Sequence, residues 1–198
     1  PIKNYYLGYD INDKNSNYLK YRKKNFKFKS EKLNTNKIVN LLIKGEIIAR
    51  ASGRMEFGSR SLGNRSLLAS PNKNNVVKKI NELIKNRDFW MPFAGTICSE
   101  LANSYIKNPK KINGSFMTIA FDTKENKCNF AAATHPYDST IRCQILKKEE
   151  NHWYYNLLMS FYKKTKIPVL LNTSLNVHGK PIVMDEKKAL ELFKETPL

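Results

Sequence analysis

Residues 53–66 read GRMEFGSRSLGNRS, and residues 171–179 read LNTSLNVHG. Both stretches set glycines and small amide or hydroxyl side chains among apolar residues, and the first adds three arginines, which is not how ordinary core segments are built. Glycine lets a backbone come close to a ligand, and arginine pairs with phosphate or carboxylate in a fixed fork. Together the two stretches predict a pocket for an anion that carries several charges.

The composition indicates a globular protein with one substantial core. The chain has 198 residues, 41% of them hydrophobic, and no apolar run of the roughly 18 residues that would predict a membrane span. The formal net charge is +18, which attracts phosphates, nucleic acid or anionic membranes, although a lysine-rich chain is also what an AT-rich genome produces. The three cysteines lack metal-ligand spacing and predict reduced thiols in a cytoplasmic protein.

Hydrophobic periodicity predicts a fold in which helices and strands mix without regular alternation. We therefore expect an α+β or mixed α/β sheet and not a doubly wound one. Residues 1–33 are polar with weak periodicity and are interpreted as a linker or the tail of a preceding domain, and residues 34–198 as the folded domain. The patterns predict helices at 34–44, 74–86, 97–106, 151–164 and 185–194, and strands at 47–51, 67–70, 116–121, 129–134, 141–146 and 168–171.

The first stretch carries Arg54, Arg60 and Arg65 within twelve residues, with Glu56 and Asn64 between them. Three guanidinium groups this close repel one another unless anions neutralise them, and Glu56 can neutralise only one. A solvated basic loop is the alternative interpretation. The apolar residues interspersed in the stretch favour a loop that is held against the core.

The second stretch places Asn172, Thr173, Ser174 and Asn176 directly after an apolar strand. Polar residues at a strand end are typical of a loop that faces a ligand, and a Ser/Asn turn is the alternative.

Two further segments carry candidate anion contacts that are weak signals alone and stronger beside these two stretches. Lys85 and Arg87 stand at a helix exit, where the negative end of the helix dipole would also favour cations. Within residues 135–144, Arg142 is predicted to contact an anion. A metal site at His135 and Asp138 has only two ligand types, so no metal site is predicted. The remaining histidines, His152 and His178, are predicted to lie on the surface or in loops.

Taken in order, four stretches resemble the C-terminal region of the O-carbamoyltransferases, the family of nodulation-factor and antibiotic carbamoyltransferases. They are residues 53–66, 84–94, 135–144 and 168–183. Two departures from the family pattern bear on substrate contacts. Met91 stands where an arginine is usual, and one extra residue separates His135 from Asp138.

That region of the family is similar to the threonylcarbamoyl-adenylate synthases of tRNA modification, which have the YrdC-like fold. The resemblance implies a twisted mixed sheet flanked by helices, with a concave basic cavity. It also implies that this domain makes carbamoyl-adenylate and pyrophosphate from carbamoyl phosphate and ATP, with Mg²⁺ at the triphosphate. A second, upstream domain of actin-like ATPase type, absent from this chain and carrying the family's metal, would transfer the carbamoyl group to a hydroxyl of a small molecule or sugar.

The K-x-R of Lys85 and Arg87 and the S-x-N of Ser174 and Asn176 match the elements that hold ATP and the carbamoyl-bearing anion in those enzymes. An RNA-binding module of the tRNA-modification type is the alternative, but the chain lacks an RRM-like strand of interleaved aromatic and basic residues, so nucleic acid is not the expected partner. A third reading is a catalytically idle fragment. The residues expected to clamp phosphate and carbamoyl groups are Lys85, Arg87 and Arg142, and further substrate contacts are expected from Ser174, Asn176, Asn172, Thr173, Arg54, Arg60, Asn64, Arg65, His135 and Thr140.

Overall fold

A mixed β-sheet forms the centre of the computed structural model, which describes residues 4–11, 32–72, 74–85, 91–124 and 127–196. The strands run in the order β1-β2-β7-β3-β6-β5-β4, and every neighbouring pair is antiparallel except β3 and β6, which are parallel. Their bounds are β1 Ile48–Ala51, β2 Arg65–Ala69, β3 Gly95–Cys98, β4 Ile106–Lys107, β5 Ala120–Thr123, β6 Thr140–Leu146 and β7 Val169–Ser174.

Helices cover both faces of this sheet, and side chains cap three of them as the sequence predicts or allows. Asn34, Asn151 and Asp185 each accept a hydrogen bond from a backbone N–H three residues later, which satisfies a donor that the first helical turn leaves open. The helices are α1 Thr35–Lys44, α2 Asn74–Ile80 with a π-helical continuation Asn81–Lys85, α3 Ser99–Tyr105, a 3₁₀ segment Lys127–Ala133, α4 His152–Thr165 and α5 Glu186–Glu195.

The core has two main halves because successive residues of a strand point to opposite faces. Leu170 of β7 packs with α1 and α4, whereas its neighbours Val169 and Leu171 pack with α2 and the 3₁₀ segment. The fold prediction of a mixed sheet flanked by helices is confirmed.

Three secondary-structure predictions were wrong in type or extent. Residues 129–134 lie in a 3₁₀ segment and turn and not in a strand, consistent with the low β-propensity of the alanines at 131–133. Ile97 and Cys98 belong to β3, which is buried at every position and therefore shows no alternation, and α3 begins only at Ser99. The strand predicted from residue 116 begins at Ala120.

Part of the segment predicted as a linker lies against the domain. The Gly8 N–H donates to the Met55 carbonyl at 2.9 Å, and the Met55 N–H donates to the Tyr9 carbonyl at 2.8 Å. The Tyr5 ring stacks on Phe116 at 4.1 Å between centroids. Residues 4–11 therefore pack against the stretch 53–57 through backbone hydrogen bonds. The assignment of residues 1–33 to a linker or a preceding domain stays a prediction.

Candidate functional site

The stretch 53–66 is held from within by the buried carboxylate of Glu56. Its Oε1 accepts hydrogen bonds from the backbone N–H groups of Leu62 at 2.6 Å, Asn64 at 2.8 Å and Arg65 at 3.3 Å. Gly63 between them has a φ of +113°, and a Cβ there would collide with the Tyr154 ring, so both the backbone conformation and the space demand glycine. This anchoring leaves residues 57–60 exposed on the outside of the loop.

Arg65 is fully buried and is not among the lining residues of the two cavities described below, so its role as a substrate contact stays a prediction. Its guanidinium donates only to backbone carbonyls in the contacts that the structure gives: those of Tyr9, Ser52, Gly53, Asn64 and Met184, at 3.0 to 3.2 Å. Burial lowers the pKa of Arg65, and the negative charge of Glu56 opposes that shift. Arg65 thus ties three chain segments together.

Asn64 is also structural in this arrangement. Its side-chain oxygen accepts from Arg50 at 2.7 Å and from Asn151 at 2.9 Å, and its amide donates to the Arg54 carbonyl at 2.8 Å. The Arg50 guanidinium lies 4.3 Å from the centroid of the Trp153 ring, and burial lowers the pKa of Arg50 to about 10. These contacts occupy Asn64 inside the domain, and its role as a substrate contact stays a prediction.

Arg54 is exposed and forms an ion pair at the surface. Its side chain is 59% exposed, and its Nε lies 4.0 Å from Asp10 Oδ2. Arg54 is not a lining residue of the cavities described below, and such an exposed ion pair stabilises little.

Arg60 and Arg142 stand at the junction of two cavities that four of the predicted segments build together. A small cavity of about 60 Å³ and a large cavity of about 660 Å³ share Arg60, Ala94 and Arg142. Arg142 reaches this place because it alternates along β6 with the buried Ile141 and Cys143. The small cavity is completed by Ser59, Ser61, Met117, Asn172, Thr173 and Ser174, and the large one by Met91, Pro92, Phe93, Ala120, Ala133, His135, Thr140 and His178.

A buried network shapes the floor of the small cavity. The Ser61 hydroxyl donates to Asn172 Oδ1 at 3.2 Å, and Asn172 Nδ2 donates to the Ser61 carbonyl at 3.2 Å and to Thr96 Oγ1 at 3.1 Å. The Thr96 hydroxyl donates to Gln144 Oε1 at 3.2 Å. Asn172 is therefore a lining residue whose side chain is engaged in fixing the loop to the sheet.

The two side chains of the S-x-N element have different surroundings. Ser174 at the end of β7 lines the small cavity, and its hydroxyl lies 2.6 Å from Asn176 Oδ1. Asn176 Nδ2 donates to the Lys180 carbonyl at 2.6 Å. Asn176 lines neither cavity and contacts Ser174, and a direct ligand contact of either residue stays a prediction.

His135 faces the large cavity from a tight loop. Its Nδ1 lies 3.4 Å from Asp138 Oδ1, and the Thr140 N–H donates to the same oxygen at 2.9 Å. The hydrogen bond from Thr140 is the largest cause of the lowered pKa of Asp138, and His135 contributes. The imidazole and the carboxylate therefore lie close together in this loop.

The K-x-R element can be placed only by its backbone. The π-helical turn Asn81–Lys85 ends beside the loop that follows β7, because the His178 N–H donates to the Ile84 carbonyl at 3.0 Å. His178 lines the large cavity, so the backbone at Lys85 is adjacent to a cavity residue. Arg87 lies outside the described residues, and the clamp role of Lys85 and Arg87 stays a prediction.

Sequence reasoning missed the position of His178 at the cavity. His178 was predicted as a surface or loop residue but lines the large cavity, and its position two residues after Asn176 in the polar stretch was the available signal. Met91, 44% exposed, lines the same cavity. The departure from the family pattern therefore falls at the site itself.

Other features of the described residues add little to the site. Cys98 and Cys143 are buried and unpaired, and burial raises the pKa of each thiol to about 12, which keeps both thiols from acting as nucleophiles. Among the residues that the structure describes, no group of three or more His, Cys, Asp or Glu side chains gathers to hold a metal ion. No helix in this part of the chain is both long and apolar enough to cross a membrane.

Comparison with known proteins supplies the context for this geometry. The family model described as Carbamoyltransferase C-terminus matches residues 39–198. The chain is 39% identical to an uncharacterised protein of Methanocaldococcus jannaschii, covering 97% of this chain and 38% of that protein. It is 36% identical to the nodulation protein NolNO of Sinorhizobium fredii and to the nodulation protein NolO of Bradyrhizobium diazoefficiens, covering 78% of this chain and 23% and 28% of theirs.

A solved structure shares the fold. Full-length HypF in its phosphate- and nucleotide-bound form superposes with a TM-score of 0.57 at 16% identity, over 85% of this chain and 20% of HypF. At that identity the likeness shows the fold alone. The chain spans less than two fifths of the curated relatives named above.

Proposed function

Because this chain belongs to the Carbamoyltransferase C-terminus family, we propose that it is the part of a carbamoyltransferase that makes carbamoyl-adenylate from carbamoyl phosphate and ATP. The observation that carries the proposal is the pair Arg60 and Arg142, which borders both the small and the large cavity. Two guanidinium groups at the junction of two cavities suit two phosphorylated substrates that meet there.

The two cavities differ in size and lining in the way that the two substrates differ. The small cavity, lined by hydroxyl and amide groups at Ser59, Ser61, Asn172 and Ser174, suits the small and polar carbamoyl phosphate. The large cavity has an apolar end that includes Pro92 and suits a base and ribose. We assign carbamoyl phosphate to the first and ATP to the second.

Charge neutralisation is the main task of such a site. The two substrates together bring about six negative charges, and anions held this close repel one another strongly unless cations lie between them. Arg60 and Arg142 supply two cations at the junction. Lys85, at the end of the turn beside His178, and Arg87 are proposed to add two more.

The reaction balances with one water and needs no covalent enzyme intermediate. Water cleaves carbamoyl phosphate to carbamate and inorganic phosphate. A carbamate oxygen then attacks the α-phosphorus of ATP, a new O–P bond forms, and the bond to pyrophosphate breaks. Positioning and charge stabilisation can carry both steps. His135, Thr140 and Thr173 are proposed to orient the substrates from the cavity walls.

The residues around the cavities do not fit a magnesium site built by this domain. No Asp or Glu is among the described residues that line them, whereas Mg²⁺ held by protein side chains prefers carboxylates. We therefore propose that Mg²⁺ enters with ATP as part of the substrate. The transfer of the carbamoyl group to a hydroxyl, and the family's own metal, are proposed to reside in the additional polypeptide that the longer relatives carry.

The experiment supplies ATP, Mg²⁺ and carbamoyl phosphate to the chain and measures pyrophosphate and phosphate. We expect both products in equal amounts, and pyrophosphate only when carbamoyl phosphate is present. Arg142→Ala should lower the rate of pyrophosphate release about 10²- to 10³-fold, the usual loss when one preorganised charge-stabilising group is removed.

A matched control removes a cation elsewhere. Lys107 is exposed on the edge strand β4, and Lys107→Ala should leave the rate unchanged. Pyrophosphate release that does not depend on carbamoyl phosphate, or a normal rate in Arg142→Ala, would contradict the assignment. If the chain shows no turnover, calorimetry with ATP tests the nucleotide site separately. The absence of a binding heat would contradict that site.

A further inference from the structure

An apolar groove of about 590 Å³ lies between β1 and α5 and shares no lining residue with the two arginine-bordered cavities. One wall comes from the edge of the sheet at Ile47, Ile48 and Ala51. In a strand, successive side chains point to opposite faces, so a cavity bordered by both Ile48 and Ala49 runs along the strand's edge. Clefts of this size with mostly apolar walls are typical of small-molecule sites.

The other wall is one face of α5. Glu186, Ala189, Leu190 and Phe193 line it, and their spacing of three, four and seven residues places them on a single side of the helix. Leu190 and Phe193 are only half-buried among the described residues, so this face keeps apolar surface in contact with the groove.

Glu186 is the sole acidic residue among the described groove-lining residues, and its carboxylate is incompletely satisfied. The residue is 9% exposed, and its Oε2 is a buried atom with no hydrogen-bond partner in the described part of the chain. A buried polar atom without a partner costs free energy. The described residues therefore supply no donor to this oxygen, and the carboxylate belongs to a residue that lines the groove.

The nearby cation does not meet this requirement. Arg65 interacts electrostatically with Glu186, but each of its three nitrogen atoms donates to backbone carbonyls, including that of Met184. The guanidinium has five N–H groups, and the six contacts to carbonyls account for all of them. Glu186 Oε2 thus has acceptor capacity that the described residues leave unused.

We propose that this groove binds a small molecule that has an apolar body and one alkylammonium group, with the ammonium donating to the Glu186 carboxylate. The aliphatic and aromatic walls take the apolar body, and the carboxylate selects a cationic donor over a neutral one because a charge-assisted hydrogen bond is about twice as strong as a neutral one. The site is independent of the carbamoyl chemistry and of Arg60 and Arg142.

The test compares n-hexylammonium with n-hexanol, which have the same chain length and differ in the charge of the head group. Each is titrated into the 198-residue chain and followed by the backbone amide signals in ¹H–¹⁵N NMR spectra. Hexylammonium should bind at least about tenfold more tightly than hexanol, with the largest shifts at Ile48 and Ala189.

Two variants on α5 separate the carboxylate from the general charge of the helix. Glu186→Gln should remove the preference for hexylammonium and leave hexanol binding unchanged. Glu195→Gln removes an exposed carboxylate of the same helix, paired with Lys180 at 3.5 Å, and should change neither affinity.

The proposal is wrong if the wild-type chain binds the two probes equally, or binds neither. It is equally wrong if the preference for hexylammonium persists in Glu186→Gln, or if the shifts cluster at the arginine-bordered cavities. The wild-type comparison needs no variant, so the result stands even if Glu186→Gln does not fold.

Discussion

Arg60 and Arg65 lie five residues apart in one motif, yet the structure gives them opposite surroundings. Arg60 is exposed and borders both cavities. Arg65 is fully buried and donates to backbone carbonyls of five residues. In sequence the two residues look alike, as cations between small and apolar neighbours. The first is proposed to meet a ligand, and the second holds together the segments around it.

Glu56 separates these two roles. By accepting three backbone N–H groups from residues 62–65, it fixes the inner half of the loop against the core and leaves the outer half at the surface. A motif rich in arginine therefore need not be a binding motif at every arginine. This comparison predicts that stability and activity respond to different members of the motif.

The largest expected effect follows from Arg65→Ala. This variant leaves the carbonyls of Tyr9, Ser52 and Met184 without this donor and leaves Glu56 without its nearby cation. We expect a loss of about 3–5 kcal/mol in the free energy of unfolding, the usual cost of removing one partner from a buried charged network. Urea denaturation followed by circular dichroism measures it.

Arg60→Ala is the matched comparison. Its free energy of unfolding should stay within about 0.5 kcal/mol of the wild type, as for other exposed positions, while the rate of pyrophosphate release falls. If Arg60→Ala destabilised the chain as much as Arg65→Ala, or if Arg65→Ala folded normally, the division of the motif into two roles would be lost.

A smaller effect is expected from Glu56→Gln. The amide oxygen can still accept backbone hydrogen bonds, but the charge that opposes the burial cost of Arg65 is gone. We expect a loss of about 1–3 kcal/mol, typical of weakening hydrogen bonds to a charged group. Glu46→Gln, at an exposed position before β1, is the control and should be neutral. A neutral Glu56→Gln would show that the loop is held by packing alone.

Much of the fold was predictable because its helices carry their own start and stop signals. Asn34 and Gly45 bound α1 as expected, and Asp185 caps α5. Short buried strands carry no such signal. In β3 all four residues are buried, so the periodicity that distinguishes a strand from a helix is missing, and the segment merged with α3 in the sequence prediction.

The site was predictable as a set of segments and not as a set of side chains. Parts of all four motifs meet, because β6, β7 and the loop before β2 converge around Arg142. Which side chain of each motif faces the cavity depends on partners far away in sequence, such as Asn151 for Asn64 and Met184 for Arg65. No local pattern reports those partners.

A still smaller effect should come from Asn176→Ala, which sharpens the comparison within the S-x-N element. Asn176 lies 2.6 Å from the Ser174 hydroxyl and outside both cavities, so its loss should misplace Ser174 without removing a cation. We expect the KM for carbamoyl phosphate to rise about tenfold, the equivalent of one hydrogen bond, with little change in kcat. A fall in kcat of the size expected for Arg142→Ala would instead indicate that Asn176 contacts the reacting groups.

The smallest effect is expected from Arg54→Ala, which tests whether an arginine of the motif outside both cavities is needed for activity. Arg54 belongs to the same motif and was predicted to contact substrate, but its side chain is 59% exposed beside Asp10 and lies outside both cavities. Exposed ion pairs contribute about 0–1 kcal/mol, so the free energy of unfolding should barely change, and pyrophosphate release should match the wild type. Both variants, Arg54→Ala and Arg60→Ala, are measured in parallel. If Arg54→Ala lost activity at normal stability, the substrates would require the positive charge of the whole loop and not an arginine at the cavity.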